Sequence, residues 1–345
     1  MRFFSSYRNR TIMKKVLIVL LTVVLIAAVL CVGAILYLDR YIVYERDGAH
    51  LRINTETEEP TLAAVPDVEA SVSYVSEDDE DAIGSSRRIT GYYVTGEMLR
   101  DIDALHEKLM REDVYAVMFD MKDVYGNFHY LSGITGASTA SSINPDAVGS
   151  LLTDLKRSGV HLIARIPAFT DQRACLSNTS LGLPLASGAL WADDNNCYWM
   201  DPGDPNVLLY ITNICIELQD LGFREVVLDD FFFPETDSIV YDETERSKAE
   251  VLTSAAETLI ADMETLEIRL SFGYHADEAF PVLLPSGRLY FSIEDGALVG
   301  GTADTHKASV VTPVTQFVFI SESRDTRFDE YGHLTPAFES AIVDE

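Results

Sequence analysis

Positive charge is scarce in this chain and unevenly placed. Lys and Arg number 26 against 55 Asp and Glu, a formal net charge of -29. An excess of that size repels nucleic acid and anionic lipid from the bulk of the chain. Residues 1–38 hold five bases (Arg2, Arg8, Arg10, Lys14, Lys15) and no acid, so the remainder carries -34. Anionic polymers are then excluded unless a local basic pocket or a metal intervenes, and a neutral or weakly charged ligand fits better. Cysteine is sparse too: there are four, with no CxxC pair and no His/Cys spacing of the zinc kind, which removes a zinc fold from consideration. Cys175 and Cys197 share one loop-rich region and could form a disulfide in an exported protein, whereas Cys215 sits on an apolar helical face as core. A glycine-rich phosphate loop is also missing. Thr95-Gly96-Glu97 after the first predicted strand does not read GxGxxG, which weakens a nucleotide-binding reading. No cofactor is implied.

One long apolar run is present. Residues 16–38, VLIVLLTVVLIAAVLCVGAILYL, suffice to cross the roughly 30 Å hydrocarbon layer at about 1.5 Å per residue. The bases precede it and Asp39 follows, so the positive-inside rule puts residues 1–15 in the cytoplasm and the rest outside. The run is long for a signal-peptide core and lacks a clear small-x-small cleavage site. A retained signal anchor in the lipid bilayer is therefore the preferred reading. Residues 39–86 follow as a spacer, with ten acids and no base over 54–86. Such a segment buries little apolar surface and repels itself into extended forms.

From residue 87 to 345 strands and helices alternate. Apolar runs at 89–94, 114–121, 160–169, 226–228, 268–274, 289–293 and 317–320 read as seven strands. Helical patterns fall at 97–110, from Asn144-Pro145 to Gly159, from Asp204-Pro205 to Gly222, and at 244–266. This alternation demands a parallel sheet with right-handed crossovers. The polar residues that follow nearly every strand favour a (β/α)8 TIM-like barrel, with its last units short or irregular.

Residues 222–234, GFREVVLDDFFFP, are the most telling stretch. A short β-branched run between Gly and Pro ends in Asp229 and Asp230, where barrels keep their chemistry. Adjacent strand residues point to opposite faces, so one of the two should enter the mouth. The other strand ends add Asp120, Lys122 and Asp123, then Arg165, His275 with Asp277, Glu294 with Asp295, and Glu322. Two carboxyl groups, one protonated and one ionised, are what cleavage of a polysaccharide needs. Asp229 with Glu322 or Glu294 could supply them. Lys122 and Arg165 would keep a carboxylate ionised or bind sugar hydroxyls; for Arg165 an ion pair with Asp120 is the alternative. Trp191 and Trp199 in the long loop 170–203 could stack on a sugar ring or tie the loop to the barrel. His275 reads equally as a hydrogen-bonded loop residue. A metal-dependent deacetylase would need more His/Asp ligands than His275 and Asp277 provide.

Five islands carry a family resemblance. They are Gly91-Tyr92-Tyr93-Val94, Asp120-Met121-Lys122-Asp123 with Gly126, Ile163-Ala164-Arg165-Ile166, Trp199-Met200-Asp201-Pro202, and Leu228-Asp229 through Phe233-Pro234. Together they resemble a bacterial family of glycoside-hydrolase-like TIM barrels distantly related to α-amylase-type enzymes. The resemblance implies a barrel acting on sugars and places the family's strand-four carboxylate on Asp229. Two departures go with it. Phe232 stands where the family usually has Arg, and the family's later tyrosine-rich strand motif is not recognisable after Leu266. A barrel that binds glycans without cleaving them is the alternative that these departures leave open.

Overall fold

The computed structural model describes residues 42–45, 48–51, 87–275, 287–293, 298–310, 312–322 and 330–338. The predicted membrane span at 16–38 and most of the spacer lie outside the described residues, as do Asp277, Glu294 and Asp295. No helix among the described residues is long and apolar enough to cross a membrane. The chain divides into two units, Met1–Tyr74 and Val75–Glu345. Within the first, Ile42–Glu45 pairs antiparallel with Gly48–Leu51.

The second unit is a closed barrel of eight parallel strands in chain order. They are β1 (Thr90–Val94), β2 (Ala116–Asp120), β3 (His161–Pro167), β4 (Glu225–Asp229), β5 (Arg269–His275), β6 (Leu289–Ser292), β7 (Phe317–Ile320) and β8 (Gly332–Pro336). Strand β8 pairs back onto β1, with Leu334 opposite Gly91. The eighth strand has no counterpart among the seven expected. Its sequence, GHLTP, holds one large apolar residue between Gly and Pro and carries no strand signal of its own. Closure of the sheet supplies its partners on both sides.

The helices form for local reasons. Asn144 caps α1 (Pro145–Arg157) by accepting from the amides of Asp146 and Ala147, and Pro145 needs no donor there. Asp204 caps α2 (Pro205–Asp220) in the same way, accepting from Asn206. Helix α3 (Lys248–Thr265) starts four residues later than its pattern suggests. A reciprocal capping box between Ser247 and Glu250 fixes the start. Leu151, Leu155, Ile211 and Leu218 from these helices are fully buried in one cluster with Val117, Leu162, Val226 and Leu228 of the strands.

Alternate strand residues fill the barrel in layers. The middle is apolar, with Met118, Ile163, Val227, Tyr290, Val318 and Leu334 in one buried cluster. At the N-terminal end of the strands sits Glu225, whose carboxylate accepts from Ser271 at 2.7 Å and Tyr290 at 3.0 Å, contacts His161 at 3.2 Å and pairs with Arg288. At the opposite end the same columns surface as Tyr93, Asp120, Arg165 and Asp229.

The disulfide that Cys175 and Cys197 could have formed is not present. Cys175, Cys197 and Cys215 are all free and buried. Burial pushes the Cys175 thiol up to about 12 and that of Cys197 up to about 11. Cys215 lies in the core as read from its helical face.

Candidate active site

The C-terminal ends of β2, β3 and β4 stand side by side. Asp120 is opposite Arg165, and Pro167 is opposite Asp229. Side chains at these positions turn inward and meet at the top of the barrel. Arg165 donates to Asp120 through Nε at 2.6 Å and through its second nitrogen at 3.0 Å. The same Nε lies 3.6 Å from Asp229 Oδ2. Arg165 is therefore an ion-pair partner of both acids. The two carboxylate oxygens can be no further apart than these two distances together, about 6.2 Å.

Burial is the main reason that the Asp229 carboxyl is pushed up to about 6. Arg165 opposes that rise, while Asp230 and Asp120 add to it. The carboxylate rests on Gly273 of β5. A Cβ at Gly273 would fall 1.6 Å from Asp229 Oδ1, so any side chain there must push the acid aside. Gly273→Ala should lower stability by about 1–3 kcal/mol in thermal denaturation. That cost should vanish when Asp229→Ala removes the opposing carboxylate. An equal cost in both backgrounds would mean that the acid is not what the methyl meets.

Strand geometry would send Asp230 away from the mouth, yet both acids line it. The strand ends at Asp229, and Asp230 takes a left-handed backbone with φ 55°. That turn swings its carboxylate back over the opening, where Oδ2 accepts from the Thr170 hydroxyl at 2.6 Å. Left-handed backbone is uncommon away from glycine, and Asp adopts it more readily than most residues.

The resulting cavity is about 550 Å³. It brings together Asp120, Lys122, Asp123, Arg165, Asp229, Asp230 and His275, seven of the residues selected from sequence. Lys122 does not face sugar as a free cation. It is buried against Asp171 at 2.8 Å, and Asp171 also caps the helix Gln172–Ser177 and accepts from Tyr210 at 2.8 Å. Asp123 is used as a turn acceptor for the amides of Tyr125 and Asn127. Glu322 follows β7 and is exposed; its charge, after burial, helps hold the Tyr93 phenol above its ordinary value. It does not line the cavity.

Neither tryptophan does either. Trp199 is buried, donates from its indole N–H to Asp193 at 3.1 Å, and packs on Phe232 at 5.1 Å and Trp191 at 6.2 Å. These rings tie the loop 170–203 to the end of β4. Phe232, in the family's arginine position, thus stacks beside the mouth and leaves it open. Phe231 turns into the core between Phe169 and Phe272.

One group near the site was not singled out from sequence, and one lining group had no sequence signal. Tyr93 belongs to the first of the five islands and stands close enough to Arg165 and Asp120 for their charges to act on its phenol. His129 sits on the loop after β2, and its Nδ1–H donates to the Asp120 carbonyl at 2.6 Å. Among the described residues no group of three or more His, Cys, Asp or Glu is placed to hold a metal.

No curated protein matches the chain. Among solved structures, a hypothetical protein from Ruminiclostridium thermocellum is 24% identical with a TM-score of 0.46, covering 52% of this chain and 96% of its own. The glycoside hydrolase domain of PelA from Pseudomonas aeruginosa is 18% identical with a TM-score of 0.42, covering 72% and 95%. A sulfoquinovosidase from E. rectale is 12% identical with a TM-score of 0.48; 72% of this chain covers only 43% of that larger enzyme. Residues 91–276, more than half of the chain and the part that carries β1 to β5, match the family described as "putative glycosyl hydrolase domain". By that match the chain belongs to this glycosyl hydrolase family.

Proposed function

We propose that the barrel hydrolyses glycosidic bonds of an envelope or environmental polysaccharide, held outside the cell by the apolar segment 16–38. One observation carries the chemistry. In an open cavity, a carboxyl raised to about 6 stands beside a carboxylate fixed by two guanidinium contacts. Asp229 is the proton donor. Its elevated value keeps part of it protonated near neutrality, so that it can give that proton to the departing glycosidic oxygen. Asp120, oriented by Arg165, presents negative charge to the oxocarbenium-like centre that forms as the bond breaks. The spacing limit of about 6.2 Å between their oxygens favours retention of the anomeric configuration over inversion, which takes roughly 6.5–9.5 Å.

The test is product release by the full chain from peptidoglycan, wall glycans and a panel of α- and β-glucans. New reducing ends are expected on at least one. The rate should fall about tenfold per pH unit above about 6, as the donor proton is lost. Retention on a glycan with no release from any would instead assign the barrel to binding alone. Proton NMR of the first product reads the anomeric outcome.

A further inference from the structure

One guanidinium serves both acids of the mouth. Strand β3 lies between β2 and β4, and Arg165 is in register with Asp120 on one side and Val227 on the other. Asp229 comes two residues after Val227, on the same face of its strand. Arg165 is thus rooted between the two carboxyl groups. It holds Asp120 through two nitrogens, at 2.6 and 3.0 Å, while Asp229 Oδ2 stands 3.6 Å from the same Nε. Among the described residues neither acid pairs with another base. A single Nε–H cannot bond both oxygens at full strength. It belongs to Asp120 here, and the difference between 2.6 and 3.6 Å is all that separates this arrangement from its reverse. The side chains of Arg165, Asp120 and Asp229 are only 19%, 21% and 25% exposed, so an unbalanced charge among them is costly.

Hydrolysis with retention moves charge between these groups. At rest Asp120 is ionised, Arg165 is charged and Asp229 is protonated, a net of zero. In the first step an Asp120 oxygen bonds the anomeric carbon with its lone pair. The glycosidic C–O bond breaks, its electron pair stays on the departing oxygen, and that oxygen takes the proton of Asp229. Asp120 is then a neutral ester and Asp229 the carboxylate. The net is again zero, but the negative charge has crossed from one side of Arg165 to the other. Water reverses the change. Asp229 takes a proton from it, its oxygen bonds the anomeric carbon, and Asp120 leaves with the electron pair of the ester bond.

We infer that Arg165 is the positioning residue of both steps, passing its short hydrogen bond from Asp120 to Asp229 when Asp120 is neutralised and taking it back when Asp120 is released. This rests on the hydrolase reading of the same cavity. It adds how one pocket keeps Asp229 protonated before the first step and ionised before the second.

Asp120→Asn imitates the neutral ester and needs no sugar. Carbon-13 carboxyl NMR of the full chain in detergent micelles, read as the difference from Asp229→Asn, follows Asp229 alone. The charged groups acting on it are Arg165, Asp230, Asp120 and His275, and Tyr93 acts on Arg165. The Asp229 midpoint, about 6 in the wild type, should fall by about two pH units in Asp120→Asn, a hundredfold weaker hold on the proton. Part of that fall comes from removing the like charge of Asp120. The same substitution in an Arg165→Gln background measures this part by itself and should give a clearly smaller fall. Equal falls in the two backgrounds overturn the proposal.

A crystal structure of Asp120→Asn at pH 8 reads the exchange directly and does not depend on Arg165→Gln folding. Arg165 Nε should lie about 2.9 Å from Asp229 Oδ2; a distance still near 3.6 Å also overturns it. Neither measurement involves a sugar, so the two readings fail separately. An exchange without product release from any glycan removes the hydrolysis and keeps the shared counter-ion. Product release with Arg165 fixed on Asp120 does the reverse.

Discussion

Asp229→Asn is expected to lower kcat by about 10²- to 10⁴-fold, the usual contribution of a positioned proton donor, with substrate binding largely retained. Asn occupies the same space over Gly273 and keeps an oxygen for Arg165, so the pocket should survive. The same substitution should make the protein more stable at neutral pH. The Asp229 carboxyl stands at about 6 against an ordinary value of 3.8, so the fold favours its protonated form. That contribution is complete below about 3.8 and is lost as the pH rises through about 6. The wild type therefore weakens across this window, and the Asn variant should not. The gap at pH 7 should be about 1–2 kcal/mol. The full shift would give more, but a quarter of the side chain is exposed to water in the pocket. Thermal denaturation from pH 4 to 8 reads the stability and initial rates read the chemistry. A variant within tenfold of wild-type kcat would remove Asp229 as the acid.

Glu225→Ala should be the most destabilising single change in the barrel, by about 3–5 kcal/mol. Its carboxylate is fully buried beneath the apolar layer and satisfies Ser271, Tyr290, His161 and Arg288 at once. Truncation removes the carboxylate that pairs with the Arg288 guanidinium, itself 1% exposed. Acid should produce a similar loss. Burial pushes the Glu225 carboxyl up, but Arg288, His161 and Arg269 more than reverse this and hold it well below the ordinary carboxylate range. The stability that follows from a lowered value is complete above the ordinary value of 4.5 and is lost as the pH falls toward the lowered one. Glu225→Gln, already without that charge, should show a flatter decline below pH 4.5 than the wild type. The paired change Glu225→Met with Arg288→Met should cost less than Glu225→Ala, because the two paired charges leave the interior together. If Glu225→Ala shifted stability by less than 1 kcal/mol, the lower layer would be incidental to the fold.

These two acids mark how much the chain disclosed before its structure. Strands β1 to β7 were readable because each is a compact apolar or β-branched run closed by polar or turn residues. The eighth was not, since Gly332–Pro336 becomes a strand only through its neighbours. Asp120, Arg165 and Asp229 were readable as strand-end polar residues, and the resemblance singled out Asp229. Asp230 was selected with them, but strand alternation allowed only one of the adjacent acids at the mouth; both line it because one left-handed residue overrides that alternation. Glu225 was hidden for another reason. Its partners lie 46 to 65 residues further on, or 64 before it, and no local pattern announces such a set. The tryptophans misled in the opposite direction. A ring in a long loop reads alike whether it faces sugar or Phe232, and only packing separates the two.

The sealed lower layer has a bearing on how a long sugar chain can meet this barrel. Below the acids come Met118, Ile163, Val227 and Leu334, all buried, and beneath these lies the Glu225–Arg288 pair. The barrel axis is thus a blind well with no rear exit, and a polymer cannot be threaded through it. Whatever reaches Asp229 must come in from the rim, and its fragments must leave over the rim they crossed.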